Sequence, residues 1–331
     1  MTGLKGSLSL ITTILPCRFF PDRQAVYFVV MIIRNLDNCS VENITAAFNE
    51  AFSDYFIPLQ FTSETMKAKM KAENILMRYS VGAFEDDRLV GFILHGYDKI
   101  NEERTIYNAG TGVIPAFRGK DLTMDMYQYA LIHLQKEGIY SHVLEVIDTN
   151  LAAMKQYFKM GFSISRKLGA FRTSATVPGN VLYTISQVNV DYITREFSDC
   201  IPAWQNSLAS IRRCREGHSV PGIYMDGQLV AYAVFVPSTG RVKQCAVHPQ
   251  WRQKGLGRSL ISHMMEQSEK GELVFTNIDE GYIQGIQFLE ALGFTKFLSL
   301  YEMKMRLQDC NSETLKYQPD QFNPYPVNKL S

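Results

Sequence analysis

The sequence predicts an α/β protein of two tandem domains, each a mixed, mostly antiparallel sheet flanked by helices. Three observations carry that expectation. The chain has 331 residues, 46% of them hydrophobic, about twice the ~100–200 residues usual for one domain. The segment GVIPAFRGKDL aligns with AVHPQWRQKGL, so that Val113, Pro115, Arg118 and Leu122 match Val247, Pro249, Arg252 and Leu256 at a constant offset of 134 residues. Further on, Gly161 and Phe162 match Gly293 and Phe294 at an offset of 132, and repetition at a near-fixed period outweighs local propensity in deciding a fold. Around each copy the apolar pattern switches between the strand and helix periods in the same order.

Taken in order, residues 1–30 form an N-terminal extension, expected to be an added strand or a segment without function. Lys5 followed by Leu8 to Leu15 is a poor signal peptide, because Ser9, Thr12 and Thr13 interrupt the run and no small-residue cleavage site follows. The first domain spans 31–180. Its expected elements are a helix from Val41 to Phe52, a hairpin of Val81 to Phe84 and Leu89 to His95, and a strand from Thr105 to Val113. A helix from Leu122 to Leu134, a strand from His142 to Ile147, a helix from Leu151 to Met160 and a last strand complete it. The second domain, 181–307, repeats the plan. A helix from Trp204 to Arg213 precedes strands Gly222 to Met225 and Leu229 to Val236, joined at Asp226-Gly227, a turn pair suited to positive φ. Strand Arg241 to Val247, helix Leu256 to Met265, strand Leu273 to Asn277, helix Ile283 to Leu292 and a last strand follow. Pro178-Gly179-Asn180 marks the junction. Residues 308–331 form an irregular tail in which Tyr317, Phe322 and Tyr325 are the anchoring candidates.

Composition removes several function classes. With 34 Lys and Arg against 33 Asp and Glu, no excess of positive charge exists to neutralise nucleic-acid phosphates. The basic cluster Arg212, Arg213 and Arg215 reads as a solvated helix end, where cations suit the dipole. The 6 cysteines and 6 histidines show no metal-ligand or redox spacing, so neither a metal site nor a disulfide framework is expected, and a reducing, cytoplasmic setting fits. No run approaches the ~20 apolar residues of a membrane helix.

The chemistry concentrates in AVHPQWRQKGLGRSL. A β-rich run ends at Val247, a short loop passes Pro249, and Gln253-Lys254-Gly255-Leu256-Gly257-Arg258 opens a helix. Gly255 and Gly257 lack Cβ atoms, so backbone N–H groups can approach phosphate oxygens, and the helix start supplies unpaired donors. Arg252, Lys254 and Arg258 add charge. There is no Gly-Lys-Ser/Thr and no dinucleotide glycine triplet, which argues against nucleotide hydrolysis and hydride transfer.

On Val247-x-Pro-x-x-Arg252-x-x-Gly255-x-Gly257 and the duplicated Gly-Phe, the chain resembles a tandem member of the GNAT N-acetyltransferase superfamily over most of residues 31–307. The resemblance implies that this loop binds the pyrophosphate of acetyl-CoA, with Gln253 and Leu256 among its residues, and that Cys245, Ala246 and Val247 pair with the pantetheine arm. It also implies transfer of an acetyl group to a small-molecule or peptide amine. Such an amine must first lose its proton, since its free pKa is ~10.4. The halves depart from the family pattern in opposite ways. In the first half, LEVIDTNLAAMKQYFKMGF places Glu145 where a base often lies, Asn150 at a helix-start contact and Tyr157 where the acid often lies. Its phosphate loop, however, has Asp121 and Thr123 in place of the two glycines, and Asp121 is expected to repel pyrophosphate or to cap the helix itself. In the second half the loop is intact, but Leu289, Tyr282 and Asn277 stand where tyrosine, asparagine and glutamate would, leaving Tyr282, Asp279 and Glu280 as nearby candidates and Tyr301 as a remoter one.

The leading expectation is an acetyl-CoA-dependent N-acetyltransferase, monomeric or dimeric, whose second half holds the cofactor. Turnover in the first half through Glu145 and Tyr157, and an acyl-CoA-binding module without turnover, are the rival readings.

Overall fold

A computed structural model describes residues 11–15, 29–54, 60–177 and 183–307. The first half comprises β1 (Ile11–Leu15), β2 (Val29–Asn35), α1 (Val41–Ala51), α2 (Ser63–Glu73), β3 (Val81–Glu85), β4 (Arg88–Ile100), β5 (Glu103–Val113), α3 (Leu122–Lys136), β6 (Ser141–Ile147), α4 (Leu151–Lys159) and β7 (Ser163–Thr173). The second comprises β8 (Ile185–Gln187), α5 (Leu208–Arg213), β9 (Pro221–Met225), β10 (Gln228–Val236), β11 (Arg241–Val247), α6 (Leu256–Gln267), β12 (Leu273–Asp279), α7 (Ile283–Ala291) and β13 (Thr295–Arg306). The expected elements occur in the expected order, and β2, α2 and β8 are present in addition. Within residues 1–30, β1 pairs antiparallel with β2, while the junction at Pro178-Gly179-Asn180 and the tail beyond Leu307 lie outside the described residues.

Helix ends follow local chemistry. Ser40 accepts from Asn43 N–H ahead of α1, and Thr62 and Thr65 form a reciprocal capping box at α2. The expected helix from Trp204 to Arg213 is in fact a single 3₁₀ turn, Trp204–Asn206, followed by the short α5. Ser207 explains the break: its extended backbone and side chain cap a new helix at Ser210 N–H, which a continuous helix would not allow.

The two expected sheets are continuous. The 13 strands of the described residues hydrogen-bond in the order β1-β2-β3-β4-β5-β6-β13-β7-β12-β11-β10-β9-β8. The halves exchange their last strands: β13, from the second half, lies between β6 and β7, and β7, from the first half, lies between β13 and β12. The cores follow the exchange. Met303 and Met305 of β13 are buried in the first half's cluster with Phe92, Tyr127 and Phe162, whereas Phe171 of β7 is buried with Leu260, Ile261 and Phe275 of the second.

Within each half two parallel strands separate. β5 and β6 pair only at Thr105 to Tyr107 against Ser141 to Val143, and β11 and β12 only at Arg241 and Val242 against Val274 and Phe275. Beyond those residues each pair splays into a wedge-shaped gap that opens toward the loop before α3 or α6. Bulges precede both wedges, between Leu94 and His95 on β4 and between Val234 and Phe235 on β10.

Candidate functional site

The turn entering α6 has two residues at positive φ, Gln253 (61°) and Gly255 (85°), and the turn entering α3 has Gly119 (73°) and Asp121 (53°) at the same two places. One backbone shape is thus built twice, with a single glycine in each copy at alternate positions. Asp121 sits at the N-cap of α3 in the left-handed region with no side-chain cap bond. The expectation that it caps the helix is therefore corrected, because an N-cap side chain reaches N2 or N3 from an extended backbone. Asp121 is also exposed, so its repulsion of a phosphate charge at ~4 Å falls toward the ~1 kcal/mol of water, against ~4 at an effective dielectric of 20.

On β11 the backbone groups alternate between β10 and the wedge. His248 N–H donates to Val230 O at 2.9 Å, and antiparallel alternation then turns Ala246 toward β10 and Cys245 and Val247 toward the wedge. Val247 O meets Arg252 Nε at 3.1 Å. The Arg252 guanidinium is further committed to Asp199, at 2.8 Å, and Asp199 also accepts from Tyr282 Oη at 2.9 Å. Tyr282 holds the first turn of α7, its ring lying over Gly285, where a Cβ would collide with it. Burial first, then the bond to Asp199, pushes the Tyr282 phenol up to about 12. In the first half Arg118 repeats the pattern, binding Val113 O and Asp54.

Lys254 and Arg258 are exposed and, among the described residues, form no ion pair; Lys254 Nζ lies 4.4 Å from the centroid of Trp251. A Cβ on Gly257 would come within 3.0 Å of the Phe288 ring, so Phe288 of α7 walls the start of α6. At the narrow end of this wedge sits Asn206, 2% exposed. Its Nδ2 donates to Thr276 O at 2.7 Å and its carbonyl accepts from Gln244 Nε2 at 2.6 Å, so it ties β12 to β11 and floors the gap just below Cys245.

In the first half a cavity of about 190 Å³ opens at the corresponding corner, lined by Val113, Gly119, Asp121, Thr123 and Gln156 among others. Tyr157 of α4, 9% exposed, packs 6.2 Å from Tyr127 and 5.7 Å from Phe162, centroid to centroid. Tyr127 Oη accepts from Asn108 Nδ2 at 2.6 Å. Asn150 caps α4 at Ala153 N–H. Glu145 lies on the opposite face of β6 from His142, which shares the aromatic cluster of Tyr157, since the two are an odd number of residues apart in unbroken register. Its carboxylate accepts from Tyr107 Oη at 3.1 Å and from Asn277 Nδ2. Burial first, and then the charge of Glu302, pushes its pKa up to about 7.

The structure therefore brings Cys245, Val247, Arg252, Gly255, Gly257 and Tyr282 around one wedge, and sets Tyr157 and Glu145 on opposite faces of the other. Arg212, Arg213 and Arg215, expected to be a solvated helix end, are instead paired with Asp191 and Asp98. Sequence reasoning missed Asp199, Asn206 and Phe288. The two Asp-Arg clamps would have pointed to Asp199, but Asp54 and Asp199 break the constant offset because the loops before them differ in length.

Two family profiles match the chain. Residues 42–162 match the acetyltransferase (GNAT) family and residues 217–296 the acetyltransferase (GNAT) domain. No curated protein sequence matches it. Among solved structures, the GCN5-related N-acetyltransferase from Sphaerobacter thermophilus is similar over 84% of this chain and 96% of its own, at 10% identity and a TM-score of 0.63. A tandem GNAT protein from the clavulanic acid biosynthesis pathway is similar over 85% of this chain and 100% of its own, at 15% identity and a TM-score of 0.62. A GCN5-related N-acetyltransferase from Anabaena variabilis is similar over 85% and 74%, at 12% identity and 0.53. The chain belongs to the GNAT acetyltransferase superfamily as a tandem, two-domain member.

Proposed function

We propose that the protein transfers an acetyl group from acetyl-CoA to the amine of a small molecule or peptide, with the cofactor held in the second half. One observation carries the assignment to that half: Gly255 and Gly257 leave the start of α6 free of Cβ atoms between two cations, Lys254 and Arg258, that no carboxylate neutralises among the described residues. In this reading the pyrophosphate lies on the N–H groups from Gly255 to Arg258, with Gln253 beside it, and Phe288 packs along the pantetheine arm. The arm pairs with the wedge-facing groups of Cys245 and Val247, and Asn206 limits how deep the acyl group goes. The Cys245 N–H then faces the thioester carbonyl and stabilises its oxyanion. Arg252 contributes by fixing Val247 and Asp199, not as a free charge.

Two phenols border this wedge: Tyr183 Oη donates to Lys254 O at 2.6 Å, and Tyr282 Oη donates to Asp199; Tyr282 is the one at the start of α7. Its proton is engaged with Asp199 and its acidity is lowered, so Tyr282→Phe is expected to reduce kcat by less than about tenfold while weakening the hold on Asp199. Steady-state kinetics on the variant check this, and a loss beyond ~10²-fold would make Tyr282 the acid.

A second reading places turnover in the first half, and the cavity at Gly119 to Thr123 favours it. There Tyr157 and Glu145 would approach a thioester from opposite faces of the wedge. Isothermal titration with acetyl-CoA, followed by an amine panel with thiol detection, separates the readings when run on Gly255→Glu and Thr123→Glu. Thiol release that survives Gly255→Glu and disappears in Thr123→Glu assigns turnover to the first half, and saturable binding without thiol release for any amine leaves only a binding module. We infer a cytoplasmic setting and a monomer or dimer. Cys39, Cys200, Cys214 and Cys245 are free, and no helix of the described residues is long and apolar enough to cross a membrane.

A further inference from the structure

The bulge at the head of the second wedge carries a residue that the first half does not repeat. Val234 pairs with Gln244 and Phe235 with Val242, so Lys243 is the extra residue on β11, opposite no partner on β10. In the first half Leu94 pairs with Gly110 and His95 with Asn108, which leaves Ala109 as the extra residue, 134 positions before Lys243. A bulge re-aims the side chain it carries, and here a lysine stands where an alanine serves the matching backbone. Val242, beside it, is buried with Leu260 and Ile261 of α6. Arg241 and Lys243 leave on the other face of the sheet, toward the 3₁₀ turn Trp204–Asn206.

Both cations end on one glutamine. Lys243 Nζ donates to Gln205 O at 3.1 Å, and Arg241 Nη2 donates to Gln205 Oε1 at 2.9 Å. Gln205 adjoins Asn206, which ties β12 to β11 at the wedge floor, so the two cations reach the closed end of the wedge. Among the described residues neither forms an ion pair; their acceptors are neutral oxygens. Arg241 Nε and His218 Nδ1 are buried without a partner, and the charges of Lys243 and Arg241 both act on His218. Glu73 of α2 also faces the two cations, but Lys69 holds it at 2.7 Å, and Glu145 of β6 faces Arg241. Burial first, then the charge of Arg241, brings Lys243 down to about 7. Lysine and arginine only donate, so the cluster is rich in donors and lacks a negatively charged acceptor. Lys243, Arg241, Gln205 and His218 are each partly exposed, so the cluster borders solvent.

We propose that the acceptor is a short amino acid whose carboxylate is seated by Lys243 and Arg241, with His218 beside them, at the closed end of the second wedge. This rests on the assignment of acetyl-CoA to the second half. The carboxylate replaces the neutral Gln205 oxygens as the partner of the two cations, entering from the face opposite α6 while the cofactor lies along α6. Cys245 follows Lys243 by two residues, ~7 Å along the strand. A chain of a few bonds between carboxylate and amine spans that distance, as in β-alanine or γ-aminobutyrate. Because Glu73 and Glu145 also face Arg241, a monoanion suits the place better than a phosphate dianion. A carboxylate bound beside Lys243 favours its charged form and so restores the ammonium that burial disfavours. The first half, with Ala109 at this position, lacks the recognition.

The test uses the full chain with CoA bound, and glycine, β-alanine and γ-aminobutyrate, each against its own primary amide. Titration calorimetry reads binding without turnover, and thiol release from acetyl-CoA reads transfer. At least one acid is expected to bind about tenfold or more tightly than its amide at pH 7 and to release thiol. Lys243→Ala, which copies the first half, should lower that preference about fivefold or more, with the affinity for CoA within twofold and the melting temperature not reduced. Lys243→Arg, which keeps the charge, should retain most of the preference. Equal affinity for acids and amides, a preference that survives Lys243→Ala, or an acid that binds without releasing thiol overturns the inference. If CoA binding remains sensitive to Gly255→Glu, the cofactor assignment then still stands. CoA binding indifferent to Gly255→Glu overturns both.

Discussion

Gly255→Glu is expected to weaken acetyl-CoA binding by at least about 100-fold while the protein stays folded. Two effects act together. A side chain at φ of 85° costs ~1–2 kcal/mol relative to glycine, and the loop can relax away from the cradle to relieve it. The added carboxylate faces a diphosphate at ~4 Å, with ~1 to ~4 kcal/mol of repulsion per charge pair depending on solvent access. With the two charges of a diphosphate counted, their sum of ~3 to ~10 kcal/mol exceeds the ~2.8 kcal/mol that a 100-fold change requires. The fold tolerates the change because Asp121 already places an acidic residue in the left-handed region at the matching position of the first half. Titration calorimetry with acetyl-CoA reads the affinity and a melting curve reads the fold. Binding within threefold of the unmodified protein would remove the cofactor from this corner.

Glu145 also links function to stability, with a definite sign. Its folded pKa is raised from the ordinary carboxyl value to about 7, so the folded state binds this proton more tightly than the unfolded chain does. Stability from this group is therefore highest below the unfolded pKa and is lost as pH rises through about 7. Glu145→Gln, which cannot ionise, should melt higher than the unmodified protein at pH 8 and no higher at pH 4. A lower melting temperature at pH 8 would mean that the charge is compensated in the folded state.

Much of this architecture was legible because backbone geometry and hydrophobic periodicity are local. The repeated Val-x-Pro-x-x-Arg fixed both strand-to-helix turns, and Asp226-Gly227 fixed a hairpin. What escaped was non-local. Nothing in the alternation of β7 or β13 says whether it will join β6 or β12, since either partner buries the same face. Asn206 sits in a run without periodicity, and its importance comes from a partner 70 residues later, Thr276. The Tyr157 and Glu145 pair was placed by resemblance, and only the unbroken register of β6 revealed that the two side chains leave on opposite faces. Asn277, met in the sequence as a substitution for glutamate, proves to be the hydrogen-bond partner of the Glu145 that retains that position in the other half.

The exchanged strands predict that the halves unfold as one unit. Met303 of β13 is fully buried in the first half's core although it belongs to the second half's chain. Met303→Ala is expected to cost about 2–5 kcal/mol and, because β13 hydrogen-bonds to both β6 and β7, to lower the stability of both halves equally. The chain carries 2 tryptophans that serve as separate reporters: Trp204 stacks on Tyr107 of the first half at 5.1 Å, while Trp251 packs in the second half's loop. Melting followed in Trp204→Phe and Trp251→Phe backgrounds should give coincident transitions that Met303→Ala shifts together, as a two-state unit requires. The same geometry makes a polypeptide ending before β13 unable to complete the first sheet, since β6 would then present a bare edge beside the wedge. Two separated transitions, with only the Trp204 signal moved by Met303→Ala, would show that the exchange joins the sheets without coupling the cores.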